Sequence, residues 1–271
     1  MTAAAVLPVR LLMDPRLKRL NLKSLALSLT DLVMPRVCLC CGRGLLPCER
    51  HLCSVCMADL PLTHFEGARV NPMADKLNSL VNAESYLQAS ALFYYTGEYK
   101  KITQALKYGR NFGAGHFIAG MLGRRLASSS FWAGADVVCP VPLHWTRRLK
   151  RGYNQAEVIA QDIARELGAE YVPGLLRRIR RTGTQTRLAS DARAQNVAAA
   201  FEARPVWPRA TTNSRSLWER GDFSDGAAKI RILLVDDVCT TGATLAACCR
   251  ALMDEFGNSV EIAVATLAYV D

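Results

Sequence analysis

The 271-residue sequence is 50% hydrophobic and 21% charged, the composition of one large globular domain or a medium domain with an appendage. A formal net charge of +10 points to an anionic partner: nucleic acid, a phosphorylated small molecule or an acidic surface, among which charge does not choose. No run approaches the ~18–20 uninterrupted apolar residues that a membrane-spanning helix needs, so no membrane span is expected.

The N-terminal stretch "MTAAAVLPVRLLMDPRLKRL" is basic but has no long apolar core followed by a small-residue cleavage site, so it is not read as a secretory signal. Its first acidic residue is Asp14, which leaves a transit-like reading open. Residues 1–35 form an extension in which "RLNLKSLALSLTDLVM" (19–34) spaces its leucines as a short amphipathic helix before Pro35. Six of the ten cysteines then fall between Cys38 and Cys56. Such clustering without a secretory signal favours metal binding over disulfides, and a reducing cytoplasm as the compartment.

Within "CLCCGRGLLPCERHLCSVC", Cys38 and Cys41 form one C-x-x-C pair and Cys53 and Cys56 a second, with eleven residues between the pairs. Each pair sets two thiolates on one side of a tight turn, and two facing turns make a tetrahedral four-sulfur site for zinc. Gly42 suits the first turn. Four protein donors leave no open coordination position, so the zinc is structural. Cys40 and Cys48 have no assigned partner, and the alternative is a set of small buried cysteines kept reduced. This zinc-ribbon-like module is placed at 36–62, with "ADLPLTH" closing it.

From residue 85 to 271 the pattern changes to alternating strands and helices. "ASALFYY" reads as a strand, "YKKITQALKYG" and "HFIAGMLGRRLASS" as helices, and "ADVVCPVPLH" as a buried strand ending in a turn. "NQAEVIAQDIARELG" is a helix with Asn154 as N-cap and Gly168 past its end. "KIRILLVDD", "GATLAACCRALMDEFG" and "VEIAVATLAYV" give a strand, a helix stopped by Gly257, and a final strand. Near-continuous apolar strands alternating with helices predict an α/β fold: a doubly wound, mainly parallel sheet covered on both faces. The polar stretch 203–228 is read as a long mobile loop.

Parallel sheets bind ligands beyond the carboxyl ends of their strands, which is where "ILLVDD" delivers Asp236 and Asp237. Thr240, Thr241, Gly242 and Thr244 then wrap into a helix starting near Ala243, and backbone amides with short hydroxyls at a helix start cradle a phosphate. The carboxylates would repel that phosphate but suit vicinal hydroxyls or Mg2+. A ribose 5-phosphate satisfies both halves. The alternative is an ordinary capped helix after a strand with solvated acids.

"VDDVCTTGAT" resembles the phosphoribosyl pyrophosphate (PRPP) signature of type I phosphoribosyltransferases. The chain as a whole resembles the ComF family, also called the GntX type, through the cysteine module, "LKYG", "CPVPLH", "RGYNQA", "QTRLASDARAQNVAAAF" and the acidic turn, which follow in the family's order over most of 30–271. The resemblance implies a type I phosphoribosyltransferase-like domain in which Asp236 and Asp237 bind the ribose hydroxyls. Thr240, Thr241, Gly242, Ala243 and Thr244 would hold the 5-phosphate, and the "PVP" turn would lie near the pyrophosphate. Lys107, Arg151 and Arg193 are the candidates for neutralising that pyrophosphate.

The implied activity is Mg2+-dependent phosphoribosyl transfer from PRPP to an unidentified nitrogenous acceptor such as a nucleobase. Two rivals are a non-catalytic PRPP or nucleotide sensor and an accessory protein for DNA uptake, touching single-stranded DNA or a DNA-uptake helicase. The "RRIRR" run (Arg177–Arg181), which precedes the exposed and flexible-looking "TGTQT" turn, is the candidate DNA contact; the alternative is a solvated charged face.

Overall fold

The computed structural model describes residues 35–81, 86–108, 111–132, 134–179, 200–204 and 229–271. The helix expected over 19–34, Arg193 and residues 205–228 of the expected loop lie outside them. The chain divides into two units, Met1–Ala58 and Asp59–Asp271.

In the first unit an isolated antiparallel bridge, Val37 to Gly44, brackets the first cysteine pair. Between them the Cys38 amide donates to the Arg43 carbonyl (2.8 Å) and the Gly42 amide to the Cys38 carbonyl (2.9 Å). Gly42 has φ +73°, a conformation that a side chain disfavours, so glycine permits this tight return. The second pair opens the short helix α1 (Ser54–Ala58). The Glu49 carboxylate accepts the Ser54 amide at 2.6 Å and the Leu46 amide at 2.8 Å, joining the intervening loop to the helix start.

The second unit is built on a five-stranded sheet ordered β1 (Gln88–Tyr94), β7 (Val260–Tyr269), β6 (Ile230–Cys239), β2 (Val137–Pro140) and β3 (Glu170–Tyr171), every pairing parallel. The central strands are apolar along their length because both faces are covered; all four residues of β2 are buried. β4 (Leu176–Arg178) and β5 (Phe201–Ala203) make a separate antiparallel pair. The helices are α2 (Pro72–Val81), α3 (Lys100–Tyr108), α4 (Phe112–Ala127), α5 (Trp145–Arg151), α6 (Gln155–Leu167) and α7 (Ala243–Phe256).

Side chains alternate across a strand. Ile232 and Leu234 of β6 therefore join the core cluster with Leu245 and Leu252 of α7, Met73 and Leu77 of α2, and Leu176 and Phe201 of the antiparallel pair. Leu233 and Val235 face the other side, where α6 packs across β2 and β6 and against α4. The chain leaves β2 through α6 toward β3 and leaves β6 through α7 toward β7. Adjacent strands whose connections run in opposite directions create a crevice at their carboxyl ends, so β2 and β6 define the switch point of the sheet.

The α/β parallel architecture is as expected, and the ends of α6 are built as its sequence implies. Asn154 Oδ1 accepts the Ala156 amide, and Gly168 closes the helix at φ +66°. The structure departs from the expectations in three places. β6 runs two residues past Asp237, because β7 continues to pair with it as far as Cys239 and Tyr269. Helices α1, α2 and α5, strand β3 and the β4–β5 pair were not anticipated. Arg177 and Arg178 lie within β4, and Ala203 lies in β5 rather than in a loop. Among the described residues no helix is long and apolar enough to cross a membrane.

Candidate functional site

Cys38, Cys41, Cys53 and Cys56 bring their sulfurs within 4.8 Å of one another. Tetrahedral zinc with Zn–S bonds of about 2.3 Å would separate its sulfurs by about 3.8 Å. The Cys41 and Cys53 sulfurs are 3.7 Å apart, so the donor set fits that ion in kind and in spacing. Burial opposes ionisation of Cys38, but the amides of Cys41, Cys53 and Cys40 together outweigh it and bring that thiol down to about 6. Burial and the three neighbouring sulfurs push Cys56 upward. A cluster that resists accumulating thiolate charge is one that a divalent cation relieves, and these four cysteines are compatible with a structural zinc. Cys40 is buried and Cys48 exposed, neither belonging to the four-sulfur group; all ten cysteines are free of disulfides.

The second site lies at the switch point of the sheet. β2 makes its last pairing at Pro140 to Val235, and the Val141 amide still reaches the Val235 carbonyl at 2.8 Å. Beyond that, β6 continues alone on its β2 side while β7 holds its other side, pairing Thr266 with Asp236. Among the described residues, Asp236 and Asp237 thus stand on a strand anchored along one edge and without a strand partner along the other.

Successive residues of a strand face opposite sides, and Asp237 is the acid with a direct cationic partner. Lys107 of α3 places Nζ 2.8 Å from Asp237 Oδ2, and that carboxylate is only 12% exposed. Asp236 Oδ1 accepts the Asp237 amide at 2.8 Å. Burial, then the adjacent Asp237 charge, push Asp236 up to about 7; its hydrogen bond, Lys107 and Arg178 offset part of this. Arg178 is fixed on β4 with its guanidinium 5.1 Å above the Phe201 ring.

The turn after β6 exposes Thr240 and Thr241 and leaves Thr244 half-buried. Gly242 caps α7 at φ +76°, and a Cβ there would meet Leu77 Cδ2 at 3.1 Å and Leu80 Cδ1 at 3.3 Å. Both the conformation and the close approach of α2 therefore require glycine. The Ala243 amide reaches Thr241 Oγ1 at 3.5 Å, and the Ala246 amide donates to the Gly242 carbonyl at 2.8 Å.

On the β2 side, Asn154 Nδ2 donates to the Val141 carbonyl (3.0 Å) and so ties the turn after β2 to the start of α6. Arg151 Nη1 donates to Gln155 Oε1 at 3.0 Å. Gln155 is buried, and its Nε2 has no hydrogen-bond partner among the described residues.

The structure thus joins Asp236, Asp237 and Lys107 directly, with Thr240, Thr241, Gly242, Ala243 and Thr244 following on the same edge. Arg151 is tied to Gln155 at the start of α6, and Arg193 lies outside the described residues. Arg178, read in the sequence only as part of the "RRIRR" charge run, is held in β4 by its pairing with Phe201 of β5.

The fold and the cysteine cluster define a parallel α/β protein with a separate cysteine centre suited to a structural metal. No family model matches the chain. It is 33% identical to competence protein F of Haemophilus influenzae over 110 residues, 41% of each chain. It is 28% identical over 128 residues, 47% of each chain, to the DNA utilization protein YhgH of Salmonella typhi and of Escherichia coli K12. The matched part spans less than half the length of these curated relatives. The similarities and the four-cysteine cluster agree with the resemblance to the ComF family drawn from the sequence.

Proposed function

We propose that the second unit binds PRPP with Mg2+ at the carboxyl edge of β6 and transfers its phosphoribosyl group to a nitrogenous acceptor, a nucleobase or a related base. The observation that carries the reading is the acidic pair in the β2–β6 crevice, followed at once by the Gly242 turn into α7. Asp236 and Asp237 accept the ribose hydroxyls, and the Thr240–Thr244 turn holds the 5-phosphate with its amides and hydroxyls. In the transfer, the bond from ribose C1 to pyrophosphate breaks and the electron pair leaves with pyrophosphate. A bond from the acceptor nitrogen to C1 forms, and that nitrogen gives up its proton.

Two adjacent carboxylates are a hard-oxygen donor set suited to Mg2+, which when bound supplies charge neutralisation for the leaving group. Lys107 balances Asp237 without ligand; with PRPP its ammonium turns to the pyrophosphate, where Arg151 adds a second charge. In the first unit Cys38, Cys41, Cys53 and Cys56 hold a structural zinc that takes no part in the chemistry. The protein works in the cytoplasm.

A second reading is favoured by the names of the relatives, competence protein F and DNA utilization protein. In it the chain is a non-catalytic accessory for DNA uptake, meeting single-stranded DNA or a helicase, and keeps a PRPP or nucleotide site. A DNA test neutralises Arg177, Arg178, Arg180 and Arg181 together. Pyrophosphate release from PRPP and Mg2+ over a panel of bases supports transfer. No release with any base, together with DNA binding whose salt slope falls by about one per arginine removed, favours the accessory reading.

A further inference from the structure

Lys76 of α2 lies far in sequence from the acidic turn, yet it donates from Nζ to the Val270 carbonyl at 2.9 Å and to the Thr240 carbonyl at 3.4 Å. The same ammonium sits 4.5 Å over the ring of Tyr269. Two of its three protons thus face carbonyls at the ends of β7 and β6, and the ring closes another side.

The helix that carries Lys76 is itself held at both ends. Asn71 caps its start, with Oδ1 accepting the Ala74 amide (3.0 Å) and Nδ2 donating to the Ala89 carbonyl (2.9 Å). At its other end Arg250 Nη1 of α7 donates to the Leu80 carbonyl at 2.7 Å. Its middle packs directly on Gly242.

A trans peptide points its carbonyl and the following amide in opposite directions, and there is no cis peptide here. Holding the Thr240 carbonyl against Lys76 therefore turns the Thr241 amide away from α2. A flip of this peptide would put a carbonyl oxygen where that amide stands, and an oxygen repels phosphate oxygens.

We propose that Lys76 is a positioning residue for the phosphate turn: it fixes the Thr240–Thr241 peptide so that the turn meets the terminal phosphate of a sugar phosphate with amides. This rests on the PRPP reading above. Lys76 acts through the peptide and does not touch the ligand.

The test titrates ribose 5-phosphate, and separately pyrophosphate with Mg2+, into the full chain as wild type, Lys76→Met and Lys76→Arg. Methionine keeps the apolar stem and removes the donors, whereas arginine restores two donors. The expected result is about tenfold weaker ribose 5-phosphate binding in Lys76→Met, recovery in Lys76→Arg and unchanged pyrophosphate affinity. Equal ribose 5-phosphate affinity in wild type and Lys76→Met overturns the role of Lys76 alone. Equal losses for both ligands also overturn it, since they mark general loosening. A wild type that does not bind ribose 5-phosphate overturns the phosphate reading and this role with it.

Discussion

In the first unit four sulfurs converge within 4.8 Å, and a divalent cation at their centre would turn their mutual repulsion into folding energy. In the second, two consecutive acids stand near the end of β6, where desolvation and repulsion push Asp236 up to about 7. The cysteine site is closed and complete in its own donors. Among the described residues the acidic site has no strand partner on the β2 side, and Lys107 pairs with Asp237. A structural centre should therefore weaken the protein when its residues are replaced, whereas a ligand site that holds charge against burial should gain stability when its charge is removed.

The largest effect is expected at the cysteines. Zinc in such modules is worth on the order of 10 kcal/mol of apparent binding energy. Replacing Cys53 and Cys56 with serine should abolish the bound zinc, about one per chain in wild type, as read by elemental analysis. Amide exchange should then accelerate around Val37–Gly44 and α1 while β6 and β7 stay protected. Full zinc content in the double variant would break the assignment of these ligands.

A smaller loss is expected for Lys107→Met, which leaves the largely buried Asp237 carboxylate without its ion pair. Lys107 is 24% exposed, so solvent moderates the effect to about 2 kcal/mol in urea unfolding. A change under about 0.5 kcal/mol would mean that the pair is not held in solution.

The opposite sign is expected at Asp236. Its native carboxyl binds a proton more tightly than the unfolded chain does, at about 7 against an ordinary 3.8. Its stabilising contribution is then full below about pH 4 and is lost as pH rises toward 7. Asp236→Asn removes this dependence, so the variant should exceed wild type by on the order of 2 kcal/mol at pH 8 and by less at pH 5. A stability difference that stays flat between those pH values would contradict the buried, repelled carboxyl.

The same contrast explains what the sequence discloses. The cysteine pairs are local, their spacing alone fixes the chemistry, and the four named residues are those that cluster. The acidic turn is half local: strand, acids, glycine and helix are contiguous, so their order is readable. Its cationic partner Lys107 comes from α3 and its carbonyl clamp from α2, and no local pattern specifies these contacts.

Helix α2 did carry a signal in Asn71-Pro72, a cap before a favoured first residue, with Met73, Ala74, Leu77 and Val81 on its buried side. Helix α5 carries only a stop signal, Gly152 at φ +83° just past its end. It has seven residues, four of them basic, and leaves Trp145 and Leu149 exposed, so it presents no apolar stripe. Strands of two or three residues such as β3, β4 and β5 are too short for a period. β5 is also defined only by pairing with a strand more than twenty residues earlier.

Calorimetric titration of PRPP with Mg2+ into wild type and the Asp236→Asn/Asp237→Asn variant tests the central claim most directly. The account predicts binding by the wild type, and a loss of about 1–3 kcal/mol for each charged hydrogen bond removed in a variant that remains folded. The same PRPP affinity in both proteins would contradict it.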